Sequence, residues 1–358
     1  MLALRFHGNR DLRVDEIPKP ELKPGWVLVF PVGFIELIRE GLDLHEYVIG
    51  PANMPVEPHI LTGETIPSVI GHEFSGTIEA VGEGVDDLSP GQKVAVFPVL
   101  TDGTCYWCQQ NTYGMCDKWG FLGYSGWGGG MAQYVCVQRR EIHVIPDSIP
   151  LDVAALVEPL AVGWHAVKKS AVKPGDLCLV LGAGPIGLAV VHCLRAHGIE
   201  TIVVSEPSPA RAAQAAEAGA QHILNPIKED VPAFCQTLGD KRGVHAVFDC
   251  AGLQQAFDVG LASARGKGQI LQVAIYEGPL TIKTPNVITR KQINLVGSNI
   301  YTREEFQEVI DAIASGQFKE PEKMITSKIP LRDAVSKGFE ELLKNKDRHI
   351  KILIDPHA

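Results

Sequence analysis

A glycine-rich turn directly follows a short, wholly apolar run in the second half of the chain. The run is Leu177-Cys-Leu-Val-Leu181, and the turn is Gly182-Ala-Gly184-Pro-Ile-Gly187. In a G-x-G-x-x-G turn between strand and helix, the first glycine allows a tight turn, the second admits a pyrophosphate and the third permits close helix packing. The turn predicts a dinucleotide site at the helix start, formed by Gly182, Gly184, Pro185, Ile186 and Gly187.

An acidic residue completes this pattern. Glu206 stands nineteen residues beyond Gly187, directly after the strand-like run Thr201-Ile-Val-Val-Ser205. A carboxylate in this place accepts hydrogen bonds from the adenosine ribose and repels a 2′-phosphate, so the sequence favours NAD over NADP. The alternative interpretation is a glycine-rich turn followed by an exposed acid.

Strand-like runs alternate with alanine-rich helical stretches beyond about residue 150. This alternation predicts an α/β protein with a doubly wound parallel sheet. Before residue 150 the chain is rich in glycine, proline and short β-branched runs, which favours a β-rich domain. The predicted strands are 27–29, 92–98, 177–181, 201–204, 245–248, 269–273 and 349–354, and the predicted helices are 211–218 and 304–314.

Composition excludes several classes of protein. The formal net charge of -9 over 358 residues argues against a nucleic-acid or anionic-membrane partner, because either would require clustered Lys and Arg. No apolar run reaches the roughly 18 residues of a membrane span. The amino terminus lacks the charged and apolar regions of a signal peptide. We therefore expect a cytoplasmic enzyme.

Three cysteines form a C-x2-C-x7-C run at Cys105, Cys108 and Cys116. Closely spaced thiolates in an intracellular chain are metal ligands more often than disulfide partners, and a closed zinc site requires four ligands. The run therefore predicts a zinc site with one further ligand. The remaining cysteines stand in apolar contexts and are predicted to be small buried hydrophobic residues; they are Cys136, Cys178, Cys193, Cys235 and Cys250.

Two further motifs, Gly71-His72-Glu73-Phe-Ser-Gly76 and Glu158-Pro-Leu, join the cysteine run and the glycine turn. A lone His-Glu pair is more often an ordinary surface or core pair than a metal site. Together, however, these motifs make the chain resemble the zinc-dependent medium-chain dehydrogenases, most closely the butanediol and sorbitol (polyol) dehydrogenase branch. The resemblance covers nearly the whole chain and includes Asp43 to Tyr47, Ser205 to Ser208 and Gly297 to Tyr301.

The resemblance implies a GroES-like β-rich catalytic domain over residues 1–155, a Rossmann NAD-binding domain over 156–292, and a return of 293–358 to the catalytic domain. It implies two zinc ions and catalysis in the cleft against the Rossmann domain. His72, Glu73 and Glu158 align with catalytic zinc ligands, so we also expect catalytic roles for Glu73 and Glu158. His45 aligns with the residue that passes the alcohol proton to solvent, a role suited to an imidazole.

Two basic residues align with cofactor contacts. The resemblance places Arg211 beside the adenosine ribose and Lys351 at the cofactor ribose or pyrophosphate. Solvated surface charges are the alternative for both. The resemblance also implies a homodimer or homotetramer, formed partly through the edges of the Rossmann sheet, and a small alcohol or ketone as substrate.

This chain departs from the family pattern at three positions. Glu40 replaces the family's catalytic zinc cysteine, Leu42 replaces the hydroxyl residue of the proton relay, and Asp102 replaces the first cysteine of the lobe. Carboxylate oxygen is a competent zinc ligand, so Glu40 and Asp102 are candidate metal ligands. Leucine can neither donate nor accept a hydrogen bond, so Leu42 interrupts the relay. An error at an exon boundary in the source gene is an alternative origin of the unusual segment.

We therefore expect an NAD-dependent, zinc-containing enzyme that interconverts a secondary alcohol or vicinal diol and its ketone. Two alternatives stay open at this stage. One is a medium-chain reductase or tailoring enzyme whose catalytic zinc is impaired or absent. The other is a protein that binds NAD without catalysis.

Overall fold

The computed structural model describes residues 1–35, 42–345 and 347–358. These residues divide into two units. The first unit comprises Met1–Glu158, Tyr301–Ser315 and Glu322–Ala358, and the second comprises Pro159–Ile300 and Gly316–Pro321. Residues 293–300 therefore lie in the second unit, whereas the sequence placed them with the catalytic domain. The reason is a short strand within them that extends the parallel sheet.

The described residues form the following regular elements. The strands are β1 Leu2–Gly8, β2 Asp11–Glu16, β3 Trp26–Ile35, β4 Ser68–Val69, β5 Phe74–Val81, β6 Lys93–Val96, β7 Val99–Leu100, β8 Gly120–Phe121, β9 Val135–Gln138, β10 Ile142–Val144, β11 Leu177–Leu181, β12 Thr201–Ser205, β13 His222–Leu224, β14 Val244–Asp249, β15 Ala264–Gln272, β16 Asn294–Gly297, β17 Ile325–Pro330 and β18 Lys351–Asp355. The α-helices are α1 Leu42–Ile49, α2 Tyr106–Gln109, α3 Leu151–Ala154, α4 Val157–Ser170, α5 Pro185–Ala196, α6 Pro209–Glu217, α7 Val231–Cys235, α8 Gln254–Ser263, α9 Pro285–Lys291, α10 Arg303–Ala314 and α11 Glu340–Lys344. Short 3-10 turns cover Tyr113–Met115, Arg139–Glu141, Pro321–Met324 and Leu331–Asp333, and a π-helical turn covers Ala334–Phe339.

The second unit contains a six-stranded parallel sheet in the order β13-β12-β11-β14-β15-β16. All five residues of β11 are buried, because helices cover both faces of a central parallel strand. Leu177, Leu179 and Leu181 pack into one apolar cluster with residues of the neighbouring strands. The order reverses between β11 and β14, and such a reversal marks the ligand-binding end of a doubly wound sheet.

The first unit is built around a mixed sheet in the order β10-β6-β5-β3-β18-β17, with β9 also paired to β3. Alternate residues of β3, including Val27 and Val29, enter its apolar core. Strand β3 lies between β5 and β18, so Gly33 pairs with Phe74 while Ile35 pairs with Ile352. The pairing brings the first residues of β5 and β18 to the same end of β3. Glu73 and Lys351 stand at this end.

The α/β fold class, with a β-rich unit and a doubly wound parallel sheet, is confirmed. Strand β11 coincides with the predicted run, and the predicted helices correspond to α6 and α10. Among the described helices, none has the length and apolar character that crossing a membrane requires.

We predict that alanine is tolerated at one glycine of the β11–α5 turn and destabilising at another. A Cβ at Gly187 would lie 2.0 Å from the carbonyl oxygen of Gly182, whereas a Cβ at Gly184 would meet no atom within 4 Å. Gly187→Ala should therefore lower the free energy of unfolding by at least about 1–3 kcal/mol, the usual range for overpacking. Gly184→Ala should change it by less than about 0.5 kcal/mol. Denaturant unfolding without cofactor measures both, and equal losses would contradict the packing argument.

Candidate active site and metal centres

The predicted cofactor residues meet in one turn at the carboxyl end of β11. Gly182 has a φ of +86°, which favours glycine, and α5 begins at Pro185 with Gly184 as its N-cap. Ile186 and Gly187 continue the first turn of this helix. The free N–H groups of the helix start are therefore available at the end of the sheet where dinucleotide phosphates bind.

Glu206 lies beside this turn, at the end of β12. Its side chain is buried, and its two carboxylate oxygens accept hydrogen bonds from the main-chain N–H groups of Ala183 (2.7 Å) and Ser208 (2.8 Å). Each oxygen keeps further acceptor capacity, so the carboxylate both fixes the glycine turn and carries a formal negative charge next to it. Arg211 lies in the first turns of α6, immediately beyond.

A second set of predicted residues meets inside the first unit. His72 and Glu73 lie between β4 and β5, and Glu158 is the second residue of α4. One ligand atom from each of the three lies within 4.8 Å of the others, and all three side chains are buried. We call these residues the histidine–carboxylate cluster. One nitrogen and two carboxylate donors form a set that zinc accepts.

Each acidic side chain in or beside the cluster has a buried partner. The Tyr301 hydroxyl donates a hydrogen bond of 2.6 Å to Glu158 Oε1. The Lys351 ammonium donates to both oxygens of Glu73, 2.6 Å from Oε1. Lys351 is fully buried, since its exposed fraction is 0%. Its ammonium therefore compensates a charge within the cluster, and the cofactor contact proposed for it from the sequence stays a prediction.

A third carboxylate faces His72. Asp43, the second residue of α1, is buried and has its Oδ1 3.8 Å from Nδ1 of His72. The same oxygen accepts a hydrogen bond of 2.7 Å from the hydroxyl of Tyr124. No sequence motif indicates a role for Asp43, Tyr124 or Tyr301.

The predicted proton carrier, His45, lies on α1. His45 is half-buried on this helix and is not one of the three residues that converge on the cluster. The predicted ligand Glu40 lies outside the described residues, and so does the side chain of Leu42. Their roles stay predictions.

The cysteine run forms the second candidate metal centre, with Asp102 as its fourth member. The donor atoms of Asp102, Cys105, Cys108 and Cys116 all lie within 4.8 Å of one another. Asp102 Oδ1 lies 3.4 Å from Cys108 Sγ and 3.7 Å from Cys116 Sγ, and the sulfurs of Cys105 and Cys108 are 3.5 Å apart. We call these four residues the lobe site. Three sulfurs and one carboxylate oxygen match the four ligands that a structural zinc site needs.

Local hydrogen bonds prepare part of this set for a cation. The main-chain N–H groups of Cys105 (3.0 Å) and Thr104 (2.9 Å) hold the pKa of Asp102 well below its usual range. Main-chain donors, Asp117 first and then Cys108, also lower the pKa of the Cys105 thiol. By contrast, burial raises the pKa of Cys108 to about 12. Because this pKa is far above neutral, Cys108 would lose its proton at neutral pH only when a cation binds its sulfur.

The other five cysteines are buried, as predicted. Burial raises the pKa of Cys178 and Cys193, so these thiols stay protonated and act as apolar side chains.

A parallel sheet with a glycine-rich turn after its first strand in one unit, and two groups of potential metal ligands in the other, are typical of a metal-dependent nicotinamide oxidoreductase. Comparison with known proteins gives the same class. The family model for the alcohol dehydrogenase GroES-like domain matches residues 43–147, and that for zinc-binding dehydrogenases matches residues 185–315.

Full-length relatives narrow the family further. The chain is 37% identical to (R,R)-butanediol dehydrogenase of Neisseria gonorrhoeae, over 100% of both chains. It is 31% identical to sorbitol dehydrogenase of Bacillus subtilis, over 100% of this chain and 98% of the relative. The crystal structure of Bacillus subtilis 2R,3R-butanediol dehydrogenase superimposes with a TM-score of 0.91 at 35% identity, covering 99% of each chain.

The chain belongs to the zinc-dependent medium-chain dehydrogenase family, near its butanediol and polyol branch. It is an oxidoreductase that acts on alcohol groups, with zinc and a nicotinamide dinucleotide as cofactors. The donor sets of the histidine–carboxylate cluster and the lobe site are chemically suited to zinc.

We predict that breaking the buried Lys351–Glu73 ion pair lowers stability strongly, because one charge is then left buried without its partner. Lys351→Met leaves the Glu73 carboxylate in the interior without its cation, which should lower the free energy of unfolding by about 3–5 kcal/mol. Adding Glu73→Gln to this variant should recover most of the loss, because it removes the uncompensated charge. Denaturant unfolding of the metal-free protein measures both effects.

Lys328 provides the matched control on the neighbouring strand β17. Its ion pair with Asp152 is exposed, with 57% of the lysine side chain accessible to solvent. Lys328→Met should therefore change the free energy of unfolding by no more than about 1 kcal/mol. Equal losses from Lys328→Met and Lys351→Met would contradict the role assigned to the buried pair.

Proposed function

We propose that the protein interconverts a short vicinal diol or secondary alcohol and its ketone, with NAD as hydride carrier. The observation that supports this most directly is the convergence of His72, Glu73 and Glu158 in the interior of the first unit. The full-length similarity to butanediol dehydrogenases supports a butanediol-like substrate. The lower identity to the sorbitol dehydrogenase makes a longer polyol the second choice.

The formal charges around the cluster support a divalent cation. Asp43, Glu73 and Glu158 each carry one formal negative charge, and Lys351 carries one positive charge. The formal charges of these four described residues therefore sum to -2. Buried charge without compensation is strongly unfavourable, and a divalent cation supplies the missing charge.

The side chains of this unit have distinct tasks in the proposed reaction. His72, Glu73 and Glu158 are the residues that would hold the zinc, and Tyr301 fixes the orientation of Glu158 through its hydrogen bond. Zinc, when bound, polarises the alcohol oxygen and eases loss of its proton. His45 on α1 carries that proton to solvent, an exchange suited to an imidazole.

Hydride transfer completes the oxidation. NAD, when bound, would accept the hydrogen and the electron pair of the C–H bond at the alcohol carbon, as the hydroxyl proton leaves and the carbonyl double bond forms. We propose that the β11–α5 turn binds the pyrophosphate and that Glu206 selects NAD, since its carboxylate disfavours a 2′-phosphate. Arg211, shortly after Glu206 on α6, is proposed to flank the adenosine ribose.

We also propose that two copies of the chain associate through the edge of the parallel sheet. Strand β16 is the last strand of that sheet, and Asn294, Leu295 and Gly297 are exposed on it. An exposed edge strand offers unpaired main-chain donors and acceptors to a second copy. A cytoplasmic location is proposed as well, supported by the lack of a disulfide bond among the eight cysteines, all of which are described.

Metal analysis and turnover test the proposed reaction together. We expect two metal ions per chain, one for each donor set, and NADH formation that is faster with butanediol than with sorbitol. NAD should be preferred to NADP. His72→Asn should remove one metal ion and turnover, whereas His7→Asn, on β1 and outside both donor sets, should change neither. One metal ion in the native protein, with no turnover on any alcohol, would contradict the proposal and favour a metal-free reductase or a binding protein.

Light scattering tests the proposed dimer. Leu295 is 44% exposed at the sheet edge, so Leu295→Lys should place a charge in the interface and shift the protein toward monomer. The control is Ile227→Lys, since Ile227 is 81% exposed but follows β13 at the opposite edge of the sheet. It should leave the mass unchanged. A monomeric native protein would contradict the proposal.

A further inference from the structure

We propose that Tyr124 is a positioning residue for the metal centre: its hydroxyl fixes the Asp43 carboxylate, which in turn orients His72. This inference rests on the proposed function, because it assigns His72 as a zinc ligand. It assigns a role to Tyr124, which belongs neither to the cofactor motif nor to the metal motifs.

The contacts form a continuous chain in the interior. Tyr124 is 2% exposed and donates its hydroxyl hydrogen to Asp43 Oδ1 at 2.7 Å. The same Oδ1 lies 3.8 Å from Nδ1 of His72. The Tyr124 and His72 rings also pack against each other, with centroids 5.3 Å apart and planes tilted by 59°. Tyr124 therefore restrains His72 both through the carboxylate and by direct ring contact.

The main chain holds Tyr124 in a fixed place relative to His72. The Tyr124 N–H donates to the carbonyl of Phe121 at 3.1 Å, and the Gly130 N–H donates to the carbonyl of Gly71 at 2.8 Å. Gly71 directly precedes His72. A Cβ at Gly123 would lie 2.5 Å from the Gly71 carbonyl oxygen, so the two main chains are in close contact there. The tyrosine and the histidine are consequently carried on two segments that are tied together.

The carboxylate determines which nitrogen of His72 binds the ion. A negative charge beside Nδ1 favours the proton on that atom, which leaves the Nε2 lone pair for zinc. Without the tyrosine hydroxyl, Asp43 loses a buried hydrogen-bond donor and its carboxylate is free to turn away from the imidazole. Replacing residues that orient a metal ligand typically weakens metal binding by about 10–100-fold. We expect a loss of about tenfold for Tyr124→Phe, since it acts through one intermediate residue.

The test compares zinc affinity in four variants by competition with a chromophoric chelator. Tyr124→Phe should weaken zinc binding at the histidine–carboxylate cluster about tenfold and leave the lobe site loaded. Tyr134→Phe is the matched control, because Tyr134 lies in the same unit and its ring packs against Phe30. It should bind zinc as tightly as the native protein.

A double-mutant cycle separates positioning from simple packing. If Tyr124 acts through Asp43, Tyr124→Phe should weaken zinc binding much less in an Asp43→Asn background than in the native one. Independent effects that add in the double variant would overturn the proposal. An unchanged zinc affinity in Tyr124→Phe would overturn it as well.

The orientation of His72 is also measurable without metal. In histidine-labelled apoprotein, nitrogen NMR distinguishes Nδ1–H from Nε2–H, and the His72 signals are assigned by their loss in His72→Asn. Tyr124→Phe should shift these signals and Tyr134→Phe should not. If the native protein held zinc only at the lobe site, the proposed function would fail, whereas a shift on Tyr124→Phe would still support the positioning role. Unshifted signals would overturn it.

Discussion

The interior around His72 contains three buried carboxylates and one buried ammonium, and the structure around them has to compensate these charges. Asp43, Glu73 and Glu158 are unfavourable in an apolar interior unless each receives hydrogen bonds or a cation. The structure supplies Tyr124, Lys351 and Tyr301 as three different donors. The formal charges of these three carboxylates and the one ammonium sum to -2, and this residual charge favours a divalent ion at the proposed site.

The same cluster depends on the sheet that carries it. Strand β3 pairs with β5 on one side and β18 on the other, which brings the first residues of those two strands together. Glu73 and Lys351 are 278 positions apart in the sequence, yet they meet because of this pairing. The ion pair thus joins the carboxyl-terminal strand to the part of the fold that holds the metal ligands.

The sequence predicted the parts of the fold that have strong local signals. The run 177–181 is wholly apolar and is followed by three glycines at fixed spacing, so β11 and the start of α5 were predictable. Strand β16 was not, because four mostly exposed residues between a helix and a loop have no periodic pattern. As a result, the sequence assigns residues 293–300 to the catalytic domain, whereas in the structure they group with β16 in the second unit.

In the candidate site, too, residues in local motifs were predictable and residues that meet only through the fold were not. His72, Glu73, Glu158 and the lobe ligands lie in short motifs, but the partners of these ligands do not. The Tyr124–Asp43 and Tyr301–Glu158 hydrogen bonds join residues 81 and 143 positions apart, and only the folded sheets bring them together. One signal was available for Lys351, since a lysine among isoleucines and leucines in a terminal strand suggests a buried ion pair.

The two candidate metal centres differ in the chemistry of their donors. This difference favours a different role for the ion at each centre. The lobe site combines three sulfurs with Asp102, a soft set that favours zinc and surrounds the ion with four protein ligands. The described ligands of the histidine–carboxylate cluster are one nitrogen and two oxygens, a harder set that discriminates less among divalent ions. Catalytic zinc sites keep a position for the substrate oxygen, and we propose the cluster as the site of this kind. In the lobe, a carboxylate in place of a thiolate is compatible with a closed structural role, because Asp102 and the three sulfurs together provide the four ligands that such a site needs.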